Sequence, residues 1–208
     1  MTALRFDSVK RIESMPLIEG GFVDWEFADP NKLLVNLVEH SPALNRLFTE
    51  AVRISPPSVK KPWSLVVGFD EFVPGNKLKV DNRRKTMVLS FSFLELGQAA
   101  LSQGLAWQTP VCLRASLIHN VVGGWSHFLK VYLQRQLVGP CGLSTSGVAL
   151  VLSGQPVMLF ARFTNLLSDG DGLRQALDWR GHSSLKPCFK HFNVFRKDRW
   201  VACGGSPL

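Results

Sequence analysis

The feature that most restricts the fold of this chain is a short apolar run that ends in two adjacent carboxylates. Residues 64–70 read Ser-Leu-Val-Val-Gly-Phe-Asp, and Glu71 follows directly. Buried strands rarely carry an acid, because an unpaired carboxylate in apolar surroundings is costly or takes up a proton. Pro74-Gly75 then predicts a turn. Asp70 is therefore either a turn residue or a ligand for a positively charged group.

Helix signals dominate the chain before this run. Asp29-Pro30 and Ser41-Pro42 each combine an N-cap residue with a first-turn proline, and apolar residues follow each pair at helical spacing. Residues 55–58, Ser-Pro-Pro-Ser, break the pattern and indicate a linker. We therefore expect an N-terminal helical segment over residues 1–58.

Strand signals dominate after the linker. We expect strands at 64–70, 76–80, 85–92, 147–153 and 156–164, the last two as a hairpin. We expect helices at 93–103, at 113–137 with a kink at Gly123-Gly124, and from residue 172 through Trp179. This order predicts a mixed α/β core over residues 59–180, followed by a Cys/His-containing basic tail over 181–208.

Composition limits the class of protein and its partners. The 208 residues are 46% apolar and 19% charged, which argues against wholesale disorder. The net charge of +8 fits a polyanionic partner but does not establish one. Four irregularly spaced cysteines and no secretory signal favour a reducing, intracellular location, and no apolar run is long enough to span a membrane.

A second group of acids follows the apolar run at 157–163. Asp169 and Asp171 lie in Ser-Asp-Gly-Asp-Gly, and the local interpretation makes Asp171 the N-cap of the next helix. The alternative is that acids from two strands share Mg²⁺ or Mn²⁺ ions about 3.5–4 Å apart, as in two-metal phosphoryl-transfer sites. The residues alone leave both interpretations open.

Basic residues follow each group of acids. The candidates for contacts with a nucleic-acid backbone are Lys77, Lys79, Arg83, Arg84 and Lys85, then Lys186 and Lys190. An ordinary solvated surface is nearly as good an explanation. Cys188-Phe-Lys-His191 supplies half of a tetrahedral zinc site, and a packed or free thiol is its alternative.

Three stretches of the chain occur in a characteristic order. They are residues 67–76 (Val-Gly-Phe-Asp-Glu-Phe-Val-Pro-Gly-Asn), 160–169 (Phe-Ala-Arg-Phe-Thr-Asn-Leu-Leu-Ser-Asp) and 181–191 (Gly-His-Ser-Ser-Leu-Lys-Pro-Cys-Phe-Lys-His). Together they resemble DDE transposases of the CACTA (En/Spm-like) group. The resemblance covers roughly residues 60–195. It implies a ribonuclease-H-like mixed sheet flanked by helices, in which one acid ends the first strand and another ends a later strand.

By position, the resemblance makes Asp70 the first catalytic acid and Asp169 the second, both as ligands for Mg²⁺ or Mn²⁺. Cys188 and His191 resemble a zinc-ligand pair of the family, with His where Cys is usual. No convincing third acid is present, since Asp198 has the wrong context. We therefore expect a partial or degenerate copy.

The expected function is that of a transposase-derived nucleic-acid-binding protein whose ancestors cleaved and transferred DNA strands. We expect DNA as the partner and an intracellular location, with the nucleus as the candidate compartment. Two states of such a protein stay open: an active DDE transposase that uses Mg²⁺ or Mn²⁺, and an inactive remnant that still binds DNA, which we favour for this chain. The alternative is a non-enzymatic α/β interaction protein with no nucleic-acid role.

Overall fold

The computed structural model describes residues 6–73 and 85–177. The strands in these ranges are β1 (Lys10–Pro16), β2 (Phe22–Ala28), β3 (Trp63–Phe72), β4 (Thr86–Phe93), β5 (Gln108–Arg114), β6 (Val148–Leu152), β7 (Gln155–Leu159) and β8 (Ala161–Leu167). The helices are α1 (Phe6–Val9), α2 (Pro30–His40), α3 (Pro42–Ile54), α4 (Gln98–Leu101), α5 (Ala115–Ile118), α6 (Gly124–Leu137) and α7 (Gly170–Ala176). Two 3₁₀ turns, Leu94–Leu96 and Gly104–Ala106, flank α4.

A mixed four-stranded sheet with the order β5-β4-β3-β8 forms the centre of the fold. Strands β3, β4 and β5 are antiparallel neighbours, whereas β8 runs parallel to β3. Helix α6 contacts β8, α7 contacts β3, and α2 contacts β5. The expected α/β class, with a mixed sheet flanked by helices, is confirmed.

One face of this sheet carries the core. Leu65, Val67 and Phe69 alternate along β3 and are almost fully buried. The Phe69 ring meets Trp125 of α6 edge-on, with centroids 4.8 Å apart. Each large apolar side chain buried in this way contributes about 1.5–3 kcal/mol to folding. The same alternation directs Gly68 and Asp70 to the opposite face.

The N-terminal segment contains a β-hairpin that the helical prediction missed. Strand β1 pairs antiparallel with β2, and the rings of Trp25 and Phe27 stack with centroids 4.1 Å apart. The period-two pattern Val23, Trp25, Phe27 was the signal for this strand. The prediction of an N-terminal segment that is helical throughout was therefore wrong for residues 10–28.

The two helices after the hairpin begin where their caps predicted. The Asp29 carboxylate accepts hydrogen bonds from the backbone N–H groups of Asn31 and Lys32, and the Ser41 hydroxyl accepts one from Leu44. These side chains satisfy backbone donors that the first turn leaves unpaired.

The long helix expected over 113–137 is shorter than predicted. Residues 108–114 form β5, and α6 begins only at Gly124. Gly123 precedes it with φ +78°, a left-handed conformation that glycine tolerates best. The expected strand at 76–80 lies outside the described residues.

The region 147–164 forms two structures instead of one hairpin. Strands β6 and β7 pair as predicted, but the chain leaves this two-stranded sheet at Phe160. Residues 161–167 then join the four-stranded sheet as β8. None of the helices in residues 6–73 and 85–177 is both long and apolar enough to cross a membrane.

Candidate functional site

The two acids singled out from the sequence lie at the same edge of the four-stranded sheet. Because β3 and β8 are parallel, with Gly68 opposite Leu167, their carboxyl ends emerge side by side. Asp70 and Asp169 each follow this register pair by two residues. A cavity of about 140 Å³ at this edge is lined by Asp70, Glu71, Lys85, Met87, Asp169, Asp171, Gly172 and Gln175.

Asp70 uses one carboxylate oxygen locally. Its Oδ1 accepts a hydrogen bond of 2.7 Å from the backbone N–H of Glu71, and the side chain is exposed. Within residues 6–73 and 85–177, Oδ2 of Asp70 has no hydrogen-bond or ion-pair partner. Oδ1 of Asp70 thus stabilises the end of β3, whereas Oδ2 has no positively charged partner among the described residues.

Asp169 is the N-cap of α7. Its Oδ1 accepts a hydrogen bond of 2.6 Å from the backbone N–H of Gly172. The sequence had favoured Asp171 as this cap, and that assignment was wrong. Asp171 lies two residues further along, in the first turn of the helix, where its carboxylate is 3.2 Å from the Arg174 guanidinium.

Gly172 allows α7 to approach the end of β3. A Cβ atom at this position would collide with the Ser168 hydroxyl and lie 3.2 Å from the Phe69 ring. The first turn of α7 is therefore held tightly against β3, and this contact fixes the position of Asp169. From the sequence, Gly172 is predicted only as a turn residue, because its role in packing depends on the long-range parallel pairing of β3 with β8.

Lys85 supplies positive charge to this edge. Its Nζ lies 2.6 Å from Oε2 of Glu71, and both side chains are partly exposed. The lysine was expected to contact a nucleic-acid backbone, whereas here it neutralises one of the carboxylates. The lining of the cavity contains the carboxylates of two Asp-containing segments and of Glu71, four in all, and one ammonium group, that of Lys85. The cavity is therefore acidic overall.

The donor set and the size of the cavity suit a hydrated divalent cation. Mg²⁺ prefers one or two carboxylates and retains several waters. A volume of about 140 Å³ has room for several water molecules at about 30 Å³ each. Across the described ranges, however, no three Asp, Glu, His or Cys side chains are close enough together to hold an ion.

The other predicted site residues lie outside the described parts of the chain. These are Lys77, Lys79, Arg83 and Arg84 after β3, and Lys186, Cys188, Lys190 and His191 in the tail. Their roles in contacting DNA or binding zinc stay predictions.

Two larger cavities lie away from the acids. One, of about 730 Å³, lies between α2 and residues 138–149, but Arg11 and Asp29 at its wall bond each other. The other, of about 550 Å³, is an open groove lined mainly by prolines and apolar side chains. Neither contains the carboxylates that the sequence singled out.

Comparison with models of known protein families gave no match, and no curated protein matches the chain at a significant level.

Proposed function

We propose that this chain is a transposase-derived DNA-binding protein in which Asp70 and Asp169 hold a divalent cation at the end of a ribonuclease-H-like sheet. The observation that carries the proposal is that the two acids, separated by about a hundred residues in sequence, line one cavity. The parallel pairing of β3 with β8 brings the two strand ends together, and an acid is present at each of them.

The topology supports the ribonuclease-H-like assignment. The resemblance calls for one acid at the end of the first strand of the core and another at the end of a later strand. Here β3 is the first strand of the four-stranded sheet, β8 is the last, and they are neighbours. Asp70 lies near the end of β3, and Asp169 follows β8.

The cation would be Mg²⁺ or Mn²⁺, since both prefer oxygen ligands. When bound, such an ion supplies Lewis-acid stabilisation of phosphate oxygens and lowers the pKa of its bound water. The chain's own contribution is to present the Oδ2 atoms of Asp70 and Asp169 from two rigid elements. The Glu71–Lys85 pair, at 2.6 Å, reduces the repulsion between this edge and a phosphate.

We propose DNA binding without strand cleavage. Two-metal phosphoryl transfer requires several carboxylates that share the ions. Four carboxylates line the cavity, but no three Asp, Glu, His or Cys side chains in residues 6–73 and 85–177 are close enough together to hold an ion. Zinc binding by Cys188 and His191, and a nuclear location, stay predictions.

The competing function is an α/β interaction protein without a nucleic-acid role. It is favoured by the local bonds of the two acids, because Asp70 and Asp169 each satisfy a backbone N–H. On that account the shared cavity is an accident of adjacent strand ends.

A binding and nicking assay with Mg²⁺ separates these functions. The full chain is mixed with labelled DNA over a range of salt concentrations, and with supercoiled plasmid in parallel. We expect affinity that falls steeply with salt and no nicked plasmid. Metal-dependent nicking that disappears in Asp70→Asn would show that catalysis survives. Absence of any salt-sensitive binding would favour the interaction protein.

A further inference from the structure

The face of the sheet opposite the core carries a polar strip beside Asp70. In antiparallel strands, residues directly opposite each other project to the same face. Asp70 is opposite Val88 of β4, and Val88 is opposite Cys112 of β5. Two residues further along β5, Arg114 is opposite Thr86 of β4. Asp70, Cys112 and Arg114 are all exposed. This face is therefore accessible from β3 across to β5.

Hydroxyl groups occupy the middle of this face. The Ser90 and Thr109 hydroxyl oxygens lie 2.8 Å apart and share one hydrogen bond. Since each hydroxyl carries one proton and only one is used between them, the pair retains a donor for an outside acceptor. Hydroxyl donors of this kind are common partners of phosphate oxygens.

An aromatic ring borders the hydroxyl pair. Ser90 is opposite Gly68, and the ring of Trp107 lies against Gly68, where a Cβ would be 3.4 Å from it. The Trp107 indole N–H donates a hydrogen bond of 2.9 Å to the Leu101 carbonyl, which fixes the ring. The side chain is half-buried. A fixed indole beside phosphate donors is the arrangement on which unpaired bases stack.

Arg114 adds an exposed positive charge to the strip. Within residues 6–73 and 85–177 it has no ion-pair or hydrogen-bond partner, unlike Arg11, Arg53, Arg135 and Arg174. Two strand spacings, about 10 Å, separate β5 from β3. A strand held at Arg114 therefore passes within reach of Asp70.

We propose that the strip formed by Trp107, Ser90, Thr109 and Arg114 binds an unpaired DNA strand and directs it toward the Asp70–Asp169 cavity. This inference rests on the proposed function, since it names the path by which the DNA reaches the acids. The occupant follows from three features of the strip: the Arg114 guanidinium, which has no ion-pair partner among the described residues, the hydroxyl donors, and the Trp107 ring. The net charge of +8 favours a polyanion over an acidic peptide of few charges.

The first test compares the affinities of variants for a labelled oligothymidine. Arg114→Ala should lower the slope of log affinity against log salt by about one, and Thr109→Val should weaken binding severalfold. Arg46→Ala is the matched control. It removes an exposed arginine of α3 that is also without an ion-pair partner in the described chain, and it should leave the slope unchanged.

The second test needs no variant. Cys112 lies on β5 between Thr109 and Arg114 of the strip, whereas Cys141 lines the cavity of about 730 Å³, and both are exposed free thiols. Oligothymidine should slow maleimide labelling of Cys112 severalfold and leave Cys141 unchanged, as read by peptide mass spectrometry. Protection by duplex DNA alone would overturn the unpaired-strand assignment.

The outcomes separate this inference from the proposed function. If the chain binds DNA but Arg114→Ala behaves like Arg46→Ala and Cys112 is not protected, the strip is not the path and the proposed function stands. If no DNA of either kind binds, both fail.

Discussion

At Asp169 a single carboxylate has two possible tasks. Its Oδ1 caps α7 through the Gly172 N–H, and the residue also lines the acidic cavity with Asp70. Capping needs a hydrogen-bond acceptor, whereas cation binding needs negative charge. Asparagine keeps the first property and loses the second, so substitution can separate the two tasks.

We predict different effects of two substitutions at this residue. Asp169→Ala should lower the free energy of unfolding by about 1 kcal/mol, because the cap is lost. Asp169→Asn should change it by only a few tenths, because asparagine caps as well as aspartate. Urea unfolding of both variants measures these two changes in the free energy of unfolding. Equal destabilisation by both would mean that the charge, and not the cap, holds the first turn of α7.

Between elements, a group of ion pairs joins the N-terminal hairpin to α6. Glu13 of β1 lies 2.6 Å from Arg11 and 2.7 Å from Arg135 of α6, and Arg11 also reaches Asp29, the cap of α2. Burial favours a higher pKa for Glu13, but the hydrogen bonds from Arg135 and Arg11 outweigh it, and the pKa is lowered below the ordinary value of 4.5.

This lowered pKa predicts a dependence of stability on pH. A group whose pKa is lower in the folded state stabilises the fold above its unfolded pKa. That contribution is lost as the pH falls below 4.5 and through the folded pKa. Glu13→Gln should lower the free energy of unfolding by about 1 kcal/mol at neutral pH and reduce its decline in acid.

The matched control for Glu13 is Glu26→Gln. Glu26 pairs with Lys10 at 2.8 Å, but half of its side chain is exposed, so its loss should cost only a few tenths of a kcal/mol. Thermal unfolding of both variants at several pH values provides the comparison. Identical pH profiles for wild type and Glu13→Gln would contradict the assigned role of Glu13.

The elements were predictable where a local signal was complete. Asp29-Pro30 and Ser41-Pro42 located α2 and α3, because cap and proline act within one turn. Strand β5 was missed because the helix-like spacing that begins at Leu117 was extended back to residue 113, while residues 108–112 were assigned to no element. The separation of β7 from β8 at Phe160 was missed as well, since one continuous apolar run serves two different sheets.

At the scale of the whole molecule, the two acids could be identified from the sequence, but their proximity in the fold could not be predicted from it. Asp70 and Asp169 were recognisable because each follows an apolar run. Their convergence depends on β8 inserting beside β3 in a parallel register, which is a long-range pairing without a local signal. The open polar strip was missed for the same reason, because Ser90 and Thr109 meet only across paired strands.

The most direct test of the central claim is Mn²⁺ binding by the full chain, measured by electron paramagnetic resonance. We predict one site whose affinity falls at least tenfold in both Asp70→Asn and Asp169→Asn, with little further loss in the double variant, because both residues hold one ion. Asp24→Asn, which changes an exposed carboxylate on β2, is the control and should bind as wild type. Unchanged Mn²⁺ affinity in Asp70→Asn and Asp169→Asn would contradict the claim and leave both acids as local capping residues.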